Sequence, residues 1–290
     1  MVGSLRSARR ADQAPSAVLL NGVSKRYQLR GPLVLRDIEC SMQPGTLTHV
    51  QGDNGCGKST LLRILAGVTV PTRGRITGLP ARVGYVPERF PPGLRFTVRQ
   101  YLGHLGRIRA LPDRLTAARS GELLDLLGAP QIADTPMWEL SKGTSQKVAI
   151  AQALVADPAW LILDEAFTGL DRSAQLALME QVRACRNAGG AVVFTDHGQR
   201  ARARALAPDS SLVLVAGALQ PQETAPLERV MLVVLAGQPE SFDVAGHPGV
   251  RHIETTSNSI LLHVDAEDCD AVLAKALQNG LSVRCVESVG

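Results

Sequence analysis

Aromatic residues are scarce: five Phe, three Tyr and two Trp make up 3% of the 290 residues. Proteins that bind single-stranded nucleic acid stack bases on aromatic faces above a basic groove, and this chain has neither many aromatics nor a dense basic stripe. Nucleic acid is therefore not an expected partner. Long apolar runs are also missing. Leu212 to Ala218 and Val230 to Ala236 are far shorter than the ~20 residues of a membrane-spanning helix, so any membrane span must come from another polypeptide. Residues 1–14 carry Arg6, Arg9 and Arg10 without an apolar core, and residues 1–16 read as a disordered basic tail and not as a signal peptide. The five cysteines, Cys40, Cys56, Cys185, Cys269 and Cys285, form no C-x-x-C pair. That indicates neither a zinc site nor a disulfide framework and favours a reducing, cytoplasmic setting.

Hydrophobic residues reach 45%, enough for a substantial core. The net charge of +4 is unevenly spread. Residues 1–220 hold 27 Lys and Arg against 17 Asp and Glu, whereas residues 221–290 hold 4 against 10. The change of sign marks off a separate C-terminal module, and the basic body suits a polyphosphate ligand or an anionic membrane surface.

One stretch organises the chain. Gly52-Asp53-Asn54-Gly55-Cys56-Gly57-Lys58-Ser59-Thr60 fits G-x-x-x-x-G-K-[ST], after a short apolar strand at Thr46 to Val50 and before an amphipathic helix at Lys58 to Ala66. Glycines at this turn let backbone N–H groups approach a phosphate, and the helix N-terminus adds partial positive charge. Lys58 is placed to reach β- and γ-phosphates and Ser59 to hold Mg²⁺ through its hydroxyl. Cys56, among the same amides, is the thiol most exposed to an electropositive setting.

Other candidate elements follow at short intervals. Ala17 to Val23 and Leu33 to Ile38 read as strands, with Tyr27 between them, and Asn21–Gly22 and Pro44–Gly45 read as turns. Gly67 to Arg75 reads as a loop. Val83 to Val86 reads as a buried strand stopped by Pro87, which leaves Glu88 at its C-terminal end, where ligands of α/β sheets collect. Helical spacing over Thr97 to Ala110 and Leu115 to Leu127 marks an insertion closed at Gly128. Leu140-Ser141-Lys142-Gly143-Thr144 leads into a helix at Ser145 to Ala156, so Ser141 and Gly143 stand ahead of a second helix N-terminus. Trp160 to Leu163 is a continuous apolar run of the kind found in central parallel strands. It ends in Asp164-Glu165, two carboxylates that are costly at a buried strand tip unless they serve a cation or a proton. Asp171 reads as the cap of a helix over Arg172 to Asn187. Ala191 to Thr195 reads as another buried strand, ending near His197. Leu212 to Val215 is a further strand, followed by Gly217 and a turn at Pro221. Three short strands and a helix at Asp268 to Leu277 fill the last module.

In order and spacing, these stretches over residues 17 to 220 resemble the nucleotide-binding subunit of ABC transporters. Gly52 to Thr60 matches its Walker A loop, Leu140 to Thr144 its signature, Leu161 to Asp164 with Glu165 its Walker B strand and catalytic glutamate. Leu170–Asp171 matches the D-loop, His197 the switch histidine, and Tyr27 the adenine-stacking aromatic. Glu88 stands where the family usually has a glutamine, and Lys142 and Thr144 depart from its L-S-G-G-Q. Both departures look like the branch of exporters with ABC-2 type membrane partners.

The resemblance implies an α/β fold: a P-loop NTPase core at 17–222 with a mixed sheet, an N-terminal antiparallel β subdomain and a helical insertion at about 90–145, then a small α+β domain at 223–290. It implies ATP and Mg²⁺ as ligand and cofactor, with Ser59, Glu88 and Asp164 at the metal, and Glu165, His197 and Lys58 in catalysis. Ser141 and Gly143 would complete the site of a second subunit, in a head-to-tail homodimer on the cytoplasmic face of the membrane with a separate transmembrane permease. A soluble ABC-type ATPase of assembly, repair or translation is the competing class, disfavoured by the single cassette and the lack of a long coiled coil. A non-hydrolysing regulatory module comes third, because Lys58, Asp164 and Glu165 are all present.

Overall fold

The computed structural model describes residues 16–90, 94–196, 205–222, 230–236, 249–256, 259–265 and 268–289. The chain divides into two compact units, residues 1–222 and 223–290.

The first unit is built on a six-stranded sheet in the order β5-β6-β7-β3-β8-β9. These strands are β3 (Leu47–Gln51), β5 (Val83–Val86), β6 (Trp160–Leu163), β7 (Ala191–Phe194), β8 (Ser210–Val215) and β9 (Ala218–Pro221). All neighbours are parallel except the β8–β9 hairpin. The apolar run of β6 is explained by burial on both faces. Leu161 and Leu163 enter one core with the helices α2 (Val98–Ile108), α3 (Asp113–Leu126), α4 (Lys142–Leu154) and α5 (Arg172–Asn187). Trp160 and Ile162 enter the other core with α1 (Lys58–Leu65). The side-chain period of two in a strand makes such a split automatic. β7 divides in the same way, with Val192 and Phe194 on one side and Ala191 and Val193 on the other.

The second core is closed by an antiparallel sheet, β2-β1-β4, of β1 (Val18–Lys25), β2 (Leu35–Met42) and β4 (Arg73–Thr77). Three expectations are corrected here. The loop expected over Gly67 to Arg75 is shorter, because Arg73–Thr77 pairs with β1 as a strand. Asn21–Gly22 does not turn the chain but lies inside β1, at a register shift between Leu20 and Val23. Its glycine is matched by Gly74 on β4, whose added Cβ would sit 2.2 Å from the Gly22 carbonyl oxygen, so the two backbones touch where side chains would hold them apart. Pro221 ends the edge strand β9, a place proline tolerates, while the chain reverses at Ala216–Gly217, both at positive φ as a two-residue hairpin requires.

The helical insertion packs α2 and α3 against α4. Thr97 caps α2 in a reciprocal box with Gln100. α4 starts at Lys142, three residues earlier than its alanine-rich run suggests, because Ser141 accepts from the Thr144 N–H and caps it. Gly143 therefore lies within the first turn of α4 rather than ahead of it.

The second unit is a four-stranded antiparallel sheet, β11-β12-β10-β13, with α6 (Cys269–Gln278) on one face. Its strands are β10 (Val230–Ala236), β11 (Val250–Thr256), β12 (Ser259–Asp265) and β13 (Ser282–Val289). Val233, Leu235, Ile260, Leu262 and Val264 pack with Val272 and Ala276 of α6. β11, with its sequence VRHIETT, is a fourth strand where three were expected.

Candidate functional site

The parallel strands β3, β5, β6 and β7 deliver their C-terminal ends to one edge of the sheet. There lie the loop 52–57, Glu88, Asp164–Glu165 and Thr195, beside the point where β3 separates β7 from β8, the usual crevice for ligands in such sheets. An open cleft of about 360 Å³ at this edge is lined by Val34, Asn54, Gly55, Gly57, Lys58, Ser59, Thr60, Glu88 and Glu165.

The loop owes its shape to glycine. Gly52 has φ 143°, and a Cβ there would come within 2.5 Å of the Leu214 carbonyl. Gly57, at φ 112°, is the N-cap of α1 and brings no side chain to its open N–H groups, which leaves them for an anion. The Lys58 side chain is buried and folds back along the loop. Its ammonium donates to the carbonyls of Gly52 at 2.7 Å and Asp53 at 2.9 Å, so one of its three donors is left for a ligand.

Asp164 is 1% exposed. Ser59 Oγ donates to its Oδ1 at 3.1 Å, Thr195 Oγ1 to the same oxygen at 3.3 Å, and the Tyr85 hydroxyl to Oδ2 at 3.4 Å. Burial pushes its pKa above the usual carboxylate range, the Ser59 hydrogen bond opposes this, and the nearby Glu88 charge adds to the rise. The same burial and the Asp164 carboxylate push Tyr85 up to about 12. A hydroxyl and two carboxylates with an excess of negative charge are the donor set of a hard divalent cation, so Ser59, Asp164 and Glu88 fit Mg²⁺. Glu165 stands next, with φ 50° and its backbone N–H donated to Thr195 Oγ1 at 3.0 Å.

Other expected residues lie outside the cleft lining. The Tyr27 ring is 59% exposed and its hydroxyl pairs with Thr60 Oγ1 at 3.1 Å. Ser141 and Gly143 are held near the turn before α5, where a Cβ on Gly143 would meet the Gly169 carbonyl at 2.9 Å. Asp171 caps α5 through the Ala174 N–H and pairs with the buried Lys147 ammonium at 2.5 Å. His197 lies outside the described residues.

Sequence reasoning missed the carboxylate's supporting partners Tyr85 and Thr195, and the role of Lys147. A polar residue ending an apolar strand was the available signal for Thr195. The Lys147–Asp171 pair ties α4 to the turn before α5 and carries a prediction. Asp171→Ala is expected to lower stability to urea by about 2 kcal/mol. Roughly 1 comes from the lost cap and the rest from stranding Lys147, a share kept small because Asp171 is half exposed. Asp171→Asn retains the cap and should lose about half as much; no loss in Asp171→Asn would remove the ion pair as a cause, and equal losses in the two variants would remove the cap.

Comparison with known proteins agrees with this geometry. The sequence profile of the family described as ABC transporter matches residues 35–168. The Nod factor export ATP-binding protein I of Rhizobium johnstonii is 30% identical over 278 residues, which cover 90% of this chain and 88% of that protein. The spermidine/putrescine import ATP-binding protein PotA of Frankia alni is 38% identical over 200 residues, 64% of this chain, and the chain spans only 43% of that protein's length. The zinc import ATP-binding protein ZnuC of Cereibacter sphaeroides is 36% identical over 57% of this chain and 66% of its own. A solved structure described as the ATP binding subunit of an ABC transporter superposes with a TM-score of 0.63 at 25% identity, covering 71% of this chain and 90% of that one. With the phosphate loop, the paired carboxylates and the capped α4 in one unit, and a relative matched along nearly its whole length, the chain belongs to the ATP-binding, ATPase subunits of ABC transporters.

Proposed function

We propose that this chain hydrolyses ATP to energise export of a substrate through a separate membrane-spanning subunit, as a peripheral protein of the cytoplasmic membrane face. The triphosphate would lie over residues 52–60, with the open N–H groups of α1 and the remaining Lys58 donor on its oxygens. The exposed Tyr27 ring offers adenine a stacking face. Mg²⁺, held by Ser59, Asp164 and Glu88, would supply charge neutralisation on the phosphates. Glu165 would orient the attacking water from the cleft wall, and His197 would contact the γ-phosphate. Ser141 and Gly143 do not line the cleft of their own chain, which supports their use by a second copy in a head-to-tail homodimer, with Asp171 at the same interface.

One observation favours export over import. A match to 90% of the chain cannot be contained in the first 222 residues, so the likeness to the Nod factor export protein runs into the C-terminal unit. The importer matches, at 64% and 57%, are short enough to need the first unit alone. The test is to express the chain with the multi-span protein encoded beside it. Mg-dependent phosphate release by the purified chain, and its recovery in the membrane fraction only with that partner, are expected. Release without membrane recruitment by any such partner would overturn the transport reading.

A further inference from the structure

The exposed ring of Tyr27 is held from two directions. Its hydroxyl pairs with Thr60 Oγ1 in the first turn of α1 at 3.1 Å. Over its face stands the ammonium of Lys25, the last residue of β1, 5.3 Å from the ring centroid. That ammonium is itself fixed, donating to the Val70 carbonyl at 2.9 Å. The segment that carries Val70 is tied down on both sides. The Val68 and Thr69 N–H groups bond the Arg63 carbonyl at 2.9 and 3.1 Å, and the Thr72 N–H bonds the Ser24 carbonyl at 2.8 Å. We propose that Lys25 is a positioning residue for the nucleotide base, which locks the Tyr27 ring so that its uncovered face stacks on the base; this rests on the ATP-binding reading above.

The physical reason lies in what an exposed ring costs to order. Tyr27 is 59% exposed and stands two residues past the end of β1, a place where a free side chain samples several rotamers and loses them on binding. A bond at the hydroxyl and a cation on one face meet that cost before the base arrives. An ammonium within about 6 Å of a ring centroid is drawn to the negative π face, and among the described residues no carboxylate pairs with Lys25 to neutralise it. The ring has two faces; Lys25 occupies one, and the other is left for a base. The ammonium also draws electron density from the ring, which suits stacking on an electron-rich purine. Lys25 does not line the phosphate cleft, so its effect belongs to ligands that carry a base.

The test is calorimetric binding of two ligands to the full chain with Mg²⁺: a non-hydrolysable ATP analogue, and inorganic tripolyphosphate, which has the phosphates and no base. Lys25→Gln keeps a donor for the Val70 carbonyl and removes the charge. It is expected to weaken the analogue about fivefold and tripolyphosphate by less than about twofold. Lys25→Arg also sets a cation on the ring and should stay within about twofold of native for both. Tyr27→Leu should weaken the analogue, and adding Lys25→Gln to it should weaken it no further, as expected if Lys25 acts through the ring. Retained tripolyphosphate binding shows in the same experiment that each variant is folded at the phosphate loop. Native analogue affinity in Lys25→Gln, an equal loss with tripolyphosphate, a Lys25→Arg as weak as Lys25→Gln, or a Lys25→Gln effect that persists in Tyr27→Leu would overturn the proposal and leave ATP binding standing. Failure of the native chain to bind either ligand would overturn the ATP-binding reading as well.

Discussion

Replacing Glu165 by glutamine is expected to slow ATP hydrolysis by about a thousandfold while Mg-ATP binding survives, the range typical of losing a positioned general base. Glu165 borders the cleft with Lys58 and Ser59, and glutamine keeps its shape without the basic oxygen. Two features mark the residue as more than the start of a loop. It adopts φ 50°, a left-handed conformation that costs a non-glycine residue on the order of 1 kcal/mol. Its N–H is also tied to Thr195 Oγ1 on the neighbouring strand, so the strain is held in place from outside. A second variant separates strain from chemistry. Glu165→Gly should hydrolyse as poorly as Glu165→Gln yet unfold at a temperature higher by a few degrees, since glycine enters that conformation freely. Phosphate release measures the first effect and calorimetry the second. With ATP bound but not cleaved, Glu165→Gln should also run as a dimer in gel filtration with Mg-ATP. Native hydrolysis rates in Glu165→Gln would remove this residue from the mechanism.

Much of this site can be read from sequence because its signals are local. The Trp160–Leu163 strand and the Arg172–Asn187 helix match their expected bounds. A doubly buried strand needs every residue apolar, and a capped helix announces itself through Asp171. The phosphate loop is legible for a related reason: only glycine tolerates the φ of 143° at position 52 next to the Leu214 carbonyl. What stayed hidden is tertiary. β4 reads RGRIT, exposed along most of its length, and it is a strand because β1 offers hydrogen bonds, not because of any alternation. Tyr85 and Thr195 meet Asp164 across 79 and 31 residues of chain, and no pattern in either segment points to the other. The start of α4 was missed because Gly143 and Thr144 are weak helix residues, and the Ser141 cap outweighs them.

Acid should destabilise the first unit through a histidine outside the proposed chemistry. His49 lies on β3, 6% exposed, stacked on Phe194 with ring centroids 4.5 Å apart. Its Nε2 is buried without a partner among the described residues. Burial lowers its pKa from 6.5 to about 4, because the charged ring would lose its hydration and gain no carboxylate. Between those values the unfolded chain takes up a proton that the folded chain refuses, so stability is complete above pH 6.5 and falls as the pH drops toward 4. Each pH unit crossed in that window costs about 1.4 kcal/mol, so the loss from this group at pH 4.5 is about 2.5 kcal/mol. Asp164 acts in the opposite sense, since a carboxyl whose pKa is raised by folding gains stability on acidification. A comparison of native protein with His49→Leu cancels that contribution, because Asp164 is present in both. The variant loses the ring stack and should be the less stable of the two at about pH 7. Its urea midpoint should nonetheless fall far less between about pH 7 and pH 4.5, leaving a difference of about 2.5 kcal/mol in the pH dependence. Parallel pH profiles would show that His49 is charged in the folded state or that its burial is relieved by water.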